Sequence, residues 1–465
     1  MRIAWGHHRA ALLRAILALA LGAAPASGAV LGQTARRPDS RAASYPTARP
    51  LAPPAPTTFK TEWERALPGE RITGVTVDSA PGTDGGVARR VFALASSGRL
   101  FCLDAASGEP LWTADDADPS VLPAPLGDAI IIRDSRGGVA VLDALQGKRR
   151  GPLRDPVARW SLLGCGGQTL SAAGPLWWLP PSARAASPES AFEILDPCEA
   201  APAGVVALPA PLVAAPVPAG GFIWALLTSG PPGTPAPPAE DRCTWLYRAA
   251  ATPPGTGLEP FEAQRALPGA RSLIADPGPP PLIAVARSGG ILEVISGLRG
   301  TTRWSVRTGT DLGAPPLFVT TGPPAAPPRD PERLVIAPTA DGLLVAYTRS
   351  NGNLAWTTRA SARISRPLAV AKIESPADPD SVRLLVAAEG SRKLEAFRAL
   401  DGAPAGSFVL EPEAAVILSA PVVALAPEGG QEAAAGVREA LCFLAWSPYP
   451  PAGSRLLAVR LSPVR

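Results

Sequence analysis

Two histidines, five cysteines, two turn-borne aspartates and a tryptophan pair hold most of the chemical potential of this 465-residue chain. His7 and His8 would suit zinc, a Ser-His-Asp relay or a Cys-His pair. Both sit at the extreme N-terminus, and the remaining residues contain no imidazole. Hydrolysis would then have to run through carboxylates or a lysine, and no clustered acidic pair stands out. Cys102, Cys165, Cys198, Cys243 and Cys442 never form Cys-x-x-Cys, so neither a thioredoxin-like site nor a c-type haem attachment is supported. In an oxidising compartment five cysteines permit two disulfides with one left over, and the pairings stay open. Gly147 and Lys148 lack the upstream glycines and the following Ser or Thr of a phosphate-binding loop. Trp177 and Trp178 could offer a stacking surface, but consecutive strand residues face opposite ways, so packing is the expectation. Asp104 and Asp143 read as caps of their own turns. No catalytic, cofactor-binding or metal-binding residue is assigned, and no cofactor is expected.

The elements able to position side chains are short strands. With 45 Gly and 57 Pro the chain is too rich in breakers for long helices, while 46% hydrophobic and 18% charged residues suffice for a large core. Self-similarity organises these strands. Gly98, Gly108 and Trp112 recur as Gly342, Gly352 and Trp356, and again as Gly290, Gly300 and Trp304, always with separations of 10 and 4. Each copy reads as apolar strand, Gly turn, alternating strand, Gly turn and a strand carrying Trp. Such a sheet has two apolar faces, and stacking on its neighbours covers both.

Looser copies fill the gaps. Gly147 and Gly402 stand at second-Gly positions, with Gly151 and Gly406 in the Trp slots. Two stretched units follow between residues 176 and 261, the second anchored at Phe261. The last unit, residues 441–465, has no Trp strand, whereas residues 59–67 supply a strand with Trp63 and no partners of its own. The expectation is an all-β, eight-bladed β-propeller of four-stranded antiparallel blades over residues 58–465, closed by the N-terminal strand completing the last blade.

Arg2, Arg9 and Arg14 precede a short apolar stretch and a small-residue end, so residues 1–29 read as a secretory signal peptide. Without them, 41 Lys and Arg face 40 Asp and Glu, which gives no electrostatic case for nucleic acid. The apolar stretch is too short to cross a bilayer, so no integral span is expected in the mature chain. Residues 30–57, with Pro46, Pro50, Pro53, Pro54 and Pro56, read as a disordered Pro/Ala-rich linker.

The repeat resembles the PQQ-like, or quinoprotein-type, propellers. Its size and secretion signal are similar to the eight-bladed periplasmic family that includes the propeller subunit of the outer-membrane β-barrel assembly machinery, although no Cys precedes Cys102 to take that family's lipid. What the resemblance implies for a quinoprotein dehydrogenase is a longer chain, a bound calcium or lanthanide and an adjacent Cys pair, and no adjacent pair occurs here. Proline-stiffened loops at 228–239, 321–328 and 375–381 favour a binding surface, since stiffening reduces the entropy lost on association. The expected function is a non-enzymatic periplasmic or secreted scaffold that binds an envelope protein or protein complex. The alternatives are a quinone-dependent periplasmic oxidoreductase and a carbohydrate-binding module.

Overall fold

A computed structural model describes residues 56–79, 88–126, 128–136, 138–150, 160–163, 177–179, 191–196, 201–208, 210, 212–228, 244–250, 260–276, 278–321, 333–373, 382–411, 413–426, 439–448 and 453–463. The backbone divides at Ala52/Pro53, and all described residues belong to the second unit. The expected signal peptide, nearly all of the linker, Gly151, three of the cysteines and nearly all of the three proline-rich loops lie outside the described residues.

The described chain forms eight sheets in sequence order. The first runs Ile72–Ser79, Ala88–Ala95, Leu100–Asp104 and Pro110–Ala114 as an antiparallel meander. The fourth (Leu212–Ala219, Phe222–Leu227, Trp245–Ala250, Glu262–Ala266) and fifth (Ala270–Asp276, Leu282–Arg287, Ile291–Ser296, Thr302–Arg307) repeat that order. So do the sixth (Leu317–Thr320, Arg333–Pro338, Leu343–Thr348, Leu354–Arg359) and seventh (Ala369–Lys372, Val382–Ala387, Lys393–Arg398, Pro404–Val409).

Alternation along each strand distributes side chains to two neighbours. Val91, Ala93 and Ala95 pack towards Phe443 and Leu456 of the eighth sheet, while Phe92 and Leu94 pack towards Ile130 and Leu142 of the second. Leu334 and Ile336 likewise face the seventh sheet, and Val335 and Ala337 the fifth. The core is therefore a series of thin apolar layers between successive sheets.

The expectation of eight uniform four-stranded blades closed into a propeller is corrected. No sheet closes on itself, and the sheets range from three to five strands. The second has only Ala124–Leu126, Ala129–Arg133 and Val139–Asp143; an isolated bridge from Leu142 to Arg149 stands in place of a fourth strand. The third, built from Trp160–Leu163, Trp177–Leu179, Ala191–Asp196 and Ala201–Ala207, contains a parallel pairing of its first and third strands. The eighth counts five strands because Val416–Ile417 and Val422–Leu425 pair separately with Ala440–Ser447. In the gap between them the buried Ser419 hydroxyl accepts from the Ala445 N–H at 2.9 Å, keeping that donor satisfied where the ladder breaks.

The N-terminal strand, Thr57–Pro68, adds to the eighth sheet along Gly453–Pro463, in antiparallel register from Thr57↔Pro463 to Pro68↔Gly453. Arg460 binds Glu62 at 2.8 Å and Arg455 binds Glu64 at 2.5 Å across this pairing.

Candidate functional site

The Gly–Gly–Trp residues lock one sheet to the next. In each second-Gly turn the glycine N–H donates to the carbonyl four residues back: Gly108 to Asp104 (2.9 Å), Gly147 to Asp143 (2.8 Å), Gly300 to Ser296 (2.8 Å), Gly352 to Thr348 (2.9 Å) and Gly402 to Arg398 (2.9 Å). The turn places its glycine at positive φ, +73° at Gly352, against an indole of an adjacent sheet. A Cβ on Gly352 would stand 2.6 Å from Trp304, and one on Gly108 2.5 Å from Trp63. Each indole N–H then donates to the carbonyl three residues before that glycine: Trp63 to Ala105 (2.9 Å), Trp112 to Ala144 (3.1 Å), Trp304 to Arg349 (2.9 Å) and Trp356 to Ala399 (3.0 Å). The first glycines serve the backbone instead. A Cβ on Gly98, Gly290 or Gly342 would lie 2.6, 2.3 or 2.5 Å from the carbonyl oxygen of Ala117, Thr310 or Ala362.

One slot differs from the sequence reading, and a second, at Gly406, finds its physical reason in the eighth sheet. The indole against Gly300 is that of Trp224, on the second strand of the fourth sheet, in place of the anchor expected at Phe261, and it donates to the Gly297 carbonyl at 3.1 Å. In the seventh sheet Gly406 occupies the Trp slot because the eighth sheet has its outer strand from the N-terminus and offers no third-to-fourth turn to receive an indole. Thr57 and Phe59 fill that place, with Phe59 and Phe408 centroids 6.4 Å apart.

The residues with chemical potential are engaged in structure. Asp104 accepts from the N–H groups of Ala106 (3.0 Å) and Ser107 (2.8 Å), and Asp143 from those of Leu145 (2.8 Å) and Gln146 (2.9 Å). The Arg150 guanidinium holds the Asp143 and Asp128 carboxyls below the usual range by hydrogen bonding. Cys102 and Cys442 are unpaired and buried, and burial pushes both thiols up to about 12. Of Trp177 and Trp178 only the backbone is described; their side chains lie outside the described residues.

A cavity of about 520 Å³ opens where the first strands of the fifth, sixth and seventh sheets and Val422–Leu425 of the eighth end. Its wall is apolar at Phe318, Val370, Val423 and Leu425, and charged at Asp276, Arg333 and Lys372. Asp276 is already engaged: Arg349 donates Nε to its carboxylate and Nη2 to the carbonyls of Gly278 (3.1 Å) and Pro280. Arg333 crosses Gly278, where a Cβ would come within 2.4 Å of its Nη1. Its guanidinium makes no ion pair or hydrogen bond among the described residues. Thr320 and Arg333, Lys372 and Val382, and Leu425 and Ala440 are the stems of the first-to-second-strand connections, so the cavity lies at the base of two of the proline-rich loops. No linear motif announces this site, because each sheet contributes only a few residues.

A family model described as outer membrane protein assembly factor BamB matches residues 55–150 and 288–448, more than half of the chain. The chain belongs to this PQQ_2 family. The PQQ_2 match contains every Gly–Gly–Trp copy with separations of 10 and 4, and the Arg333 cavity in large part, while residues 151–287 fall outside it. No curated protein matches the sequence. The solved structure of the computationally designed Ika8 protein (crystal packing No.1 in P63) is similar at 11% identity, covering 85% of this chain and 96% of that one with a TM-score of 0.48. Among the described residues no helix is long and apolar enough to cross a membrane, which says nothing of β-barrels.

Proposed function

We propose that this PQQ_2 protein is a non-enzymatic scaffold of the cell envelope, exported to the periplasm or beyond, which binds another envelope protein. The observation that carries the reading is the membership of a family described by an outer-membrane assembly factor, over the same residues in which the Trp–Gly locks recur. A body braced at every such lock presents its loops and cavities on a fixed frame, which limits the ordering cost of association. Among the described residues no three His, Cys, Asp or Glu gather to hold a metal, and the turn aspartates and buried thiols are committed to local structure. The expected leader at residues 1–29 and linker at 30–57 would deliver this frame on a tether.

Calorimetry of the mature protein with pyrroloquinoline quinone and calcium, run beside a dye-linked oxidation assay with alcohols and sugars, tests the non-enzymatic part. No binding heat and no dye reduction are expected. Micromolar or tighter quinone binding accompanied by substrate oxidation would replace the scaffold with an oxidoreductase.

A further inference from the structure

The cavity at the ends of the inner strands combines a cation and an apolar wall in one open-mouthed space. Arg333 lines it with no hydrogen bond or ion pair among the described residues. Asp276, the acidic group among the described lining residues, is neutralised by Arg349, which is itself buried. Among the described lining residues Arg333 is thus a cation without a counter-charge, in a space of the size that commonly holds small ligands or short peptide segments. A guanidinium beside apolar surface favours a carboxylate attached to an apolar body, because the partly desolvated charge gains a charge-assisted, bidentate partner.

The chain's own N-terminal segment does not fit. It enters the fold at Thr57, which pairs with Pro463 at the end of the eighth sheet that carries Ala440 and Leu425 in the cavity wall. The segment before it carries Arg36, Arg37, Arg41 and Arg49 against Asp39 alone, the wrong sign for this cavity.

From this geometry we infer that the cavity receives a short acidic peptide segment of a partner protein, with a carboxylate on Arg333 and an apolar side chain against Val370, Val423 and Leu425. The inference rests on the scaffold reading and names the place and chemistry of contact.

A random heptapeptide library displayed on phage and selected on the mature protein tests it, with the enriched peptide then measured by fluorescence polarisation. Asp or Glu next to an apolar residue should be enriched. Affinity should fall at least tenfold in Arg333→Glu and, with charge unchanged, in Leu425→Trp, which fills the space. The two variants act independently, so misfolding of one, read from its melting curve, leaves the other to decide. Enrichment without acidic residues, no enrichment at all, or unchanged affinity in a folded variant would overturn the inference. So would displacement of the peptide by inorganic phosphate at low millimolar concentration, which would make the cavity a small-anion site. A partner captured from the envelope whose binding ignores both variants would leave the scaffold reading standing and remove this one.

Discussion

Trp356 lies against Gly402 of the following sheet so closely that a Cβ on the glycine would meet three of its ring carbons at 2.5–2.9 Å, while its indole N–H reaches the Ala399 carbonyl at 3.0 Å. The glycine also sits at φ +72°, where an L side chain is strained. Trp356→Ala should therefore cost about 3–5 kcal/mol, as for other large aromatic deletions in a tight core, and Gly402→Ala should cost more than 1 kcal/mol through strain and contact together. Because removal of the indole makes room for the new methyl, the double variant should be less destabilised than the sum of the singles. Chemical denaturation of the four proteins checks this; simple additivity would show that the contact is not the source of the cost.

The N-terminal strand supplies an edge, two ion pairs and the Trp63 lock. Removing residues 57–68 should lower Tm by roughly 5–10 °C or more for a chain of this size. Removing residues 30–55 should leave Tm unchanged. Thermal unfolding followed by circular dichroism separates the two, and equal melting curves would contradict the packing described for Trp63.

Glu293 is almost fully buried between two arginines. Burial works to raise its pKa, but hydrogen bonds from Thr302 and Arg265, aided by Arg287, hold it below the ordinary 4.5. A carboxyl depressed in the folded state contributes stability that is complete above 4.5 and is lost as pH falls through the lower folded value. Wild type should thus be more stable than Glu293→Gln at pH 7, and the gap should narrow on acidification below about pH 4.5. A gap independent of pH would mean that the Gln variant fails through packing alone.

Cys102 and Cys442, with thiols pushed up to about 12 from 9, hold about a thousandfold less thiolate than an unperturbed cysteine near neutral pH. Iodoacetamide at pH 8, read by peptide mass spectrometry, should leave both unmodified in the native protein and label both in guanidinium. Fast native labelling of either would show that its layer opens.

Sheet-forming character and the positions of the tight turns were legible in the sequence because glycine at positive φ and a large indole each have few substitutes, and their spacing survives divergence at Gly98–Trp112, Gly290–Trp304 and Gly342–Trp356. The fourth sheet's lock was not, since Trp224 reaches Gly300 from a different strand and breaks the spacing. Uneven sheets escaped as well: the interruption at Ser419 and the parallel pairing of residues 160–163 with 192–195 depend on partners distant in sequence. Arg333 looked like any strand-end arginine, and its setting emerges only when four sheets bring Asp276, Lys372 and Leu425 to the same end.

The scaffold claim is tested most directly by cross-linking the mature protein in its native envelope, with a photoreactive residue placed at exposed Leu298 or Leu354 and products identified by mass spectrometry. The account predicts one recurrent envelope protein, cross-linked near stoichiometry and retained on affinity purification without a cross-linker. Only scattered, substoichiometric products from every position, with the purified protein running alone, would contradict it.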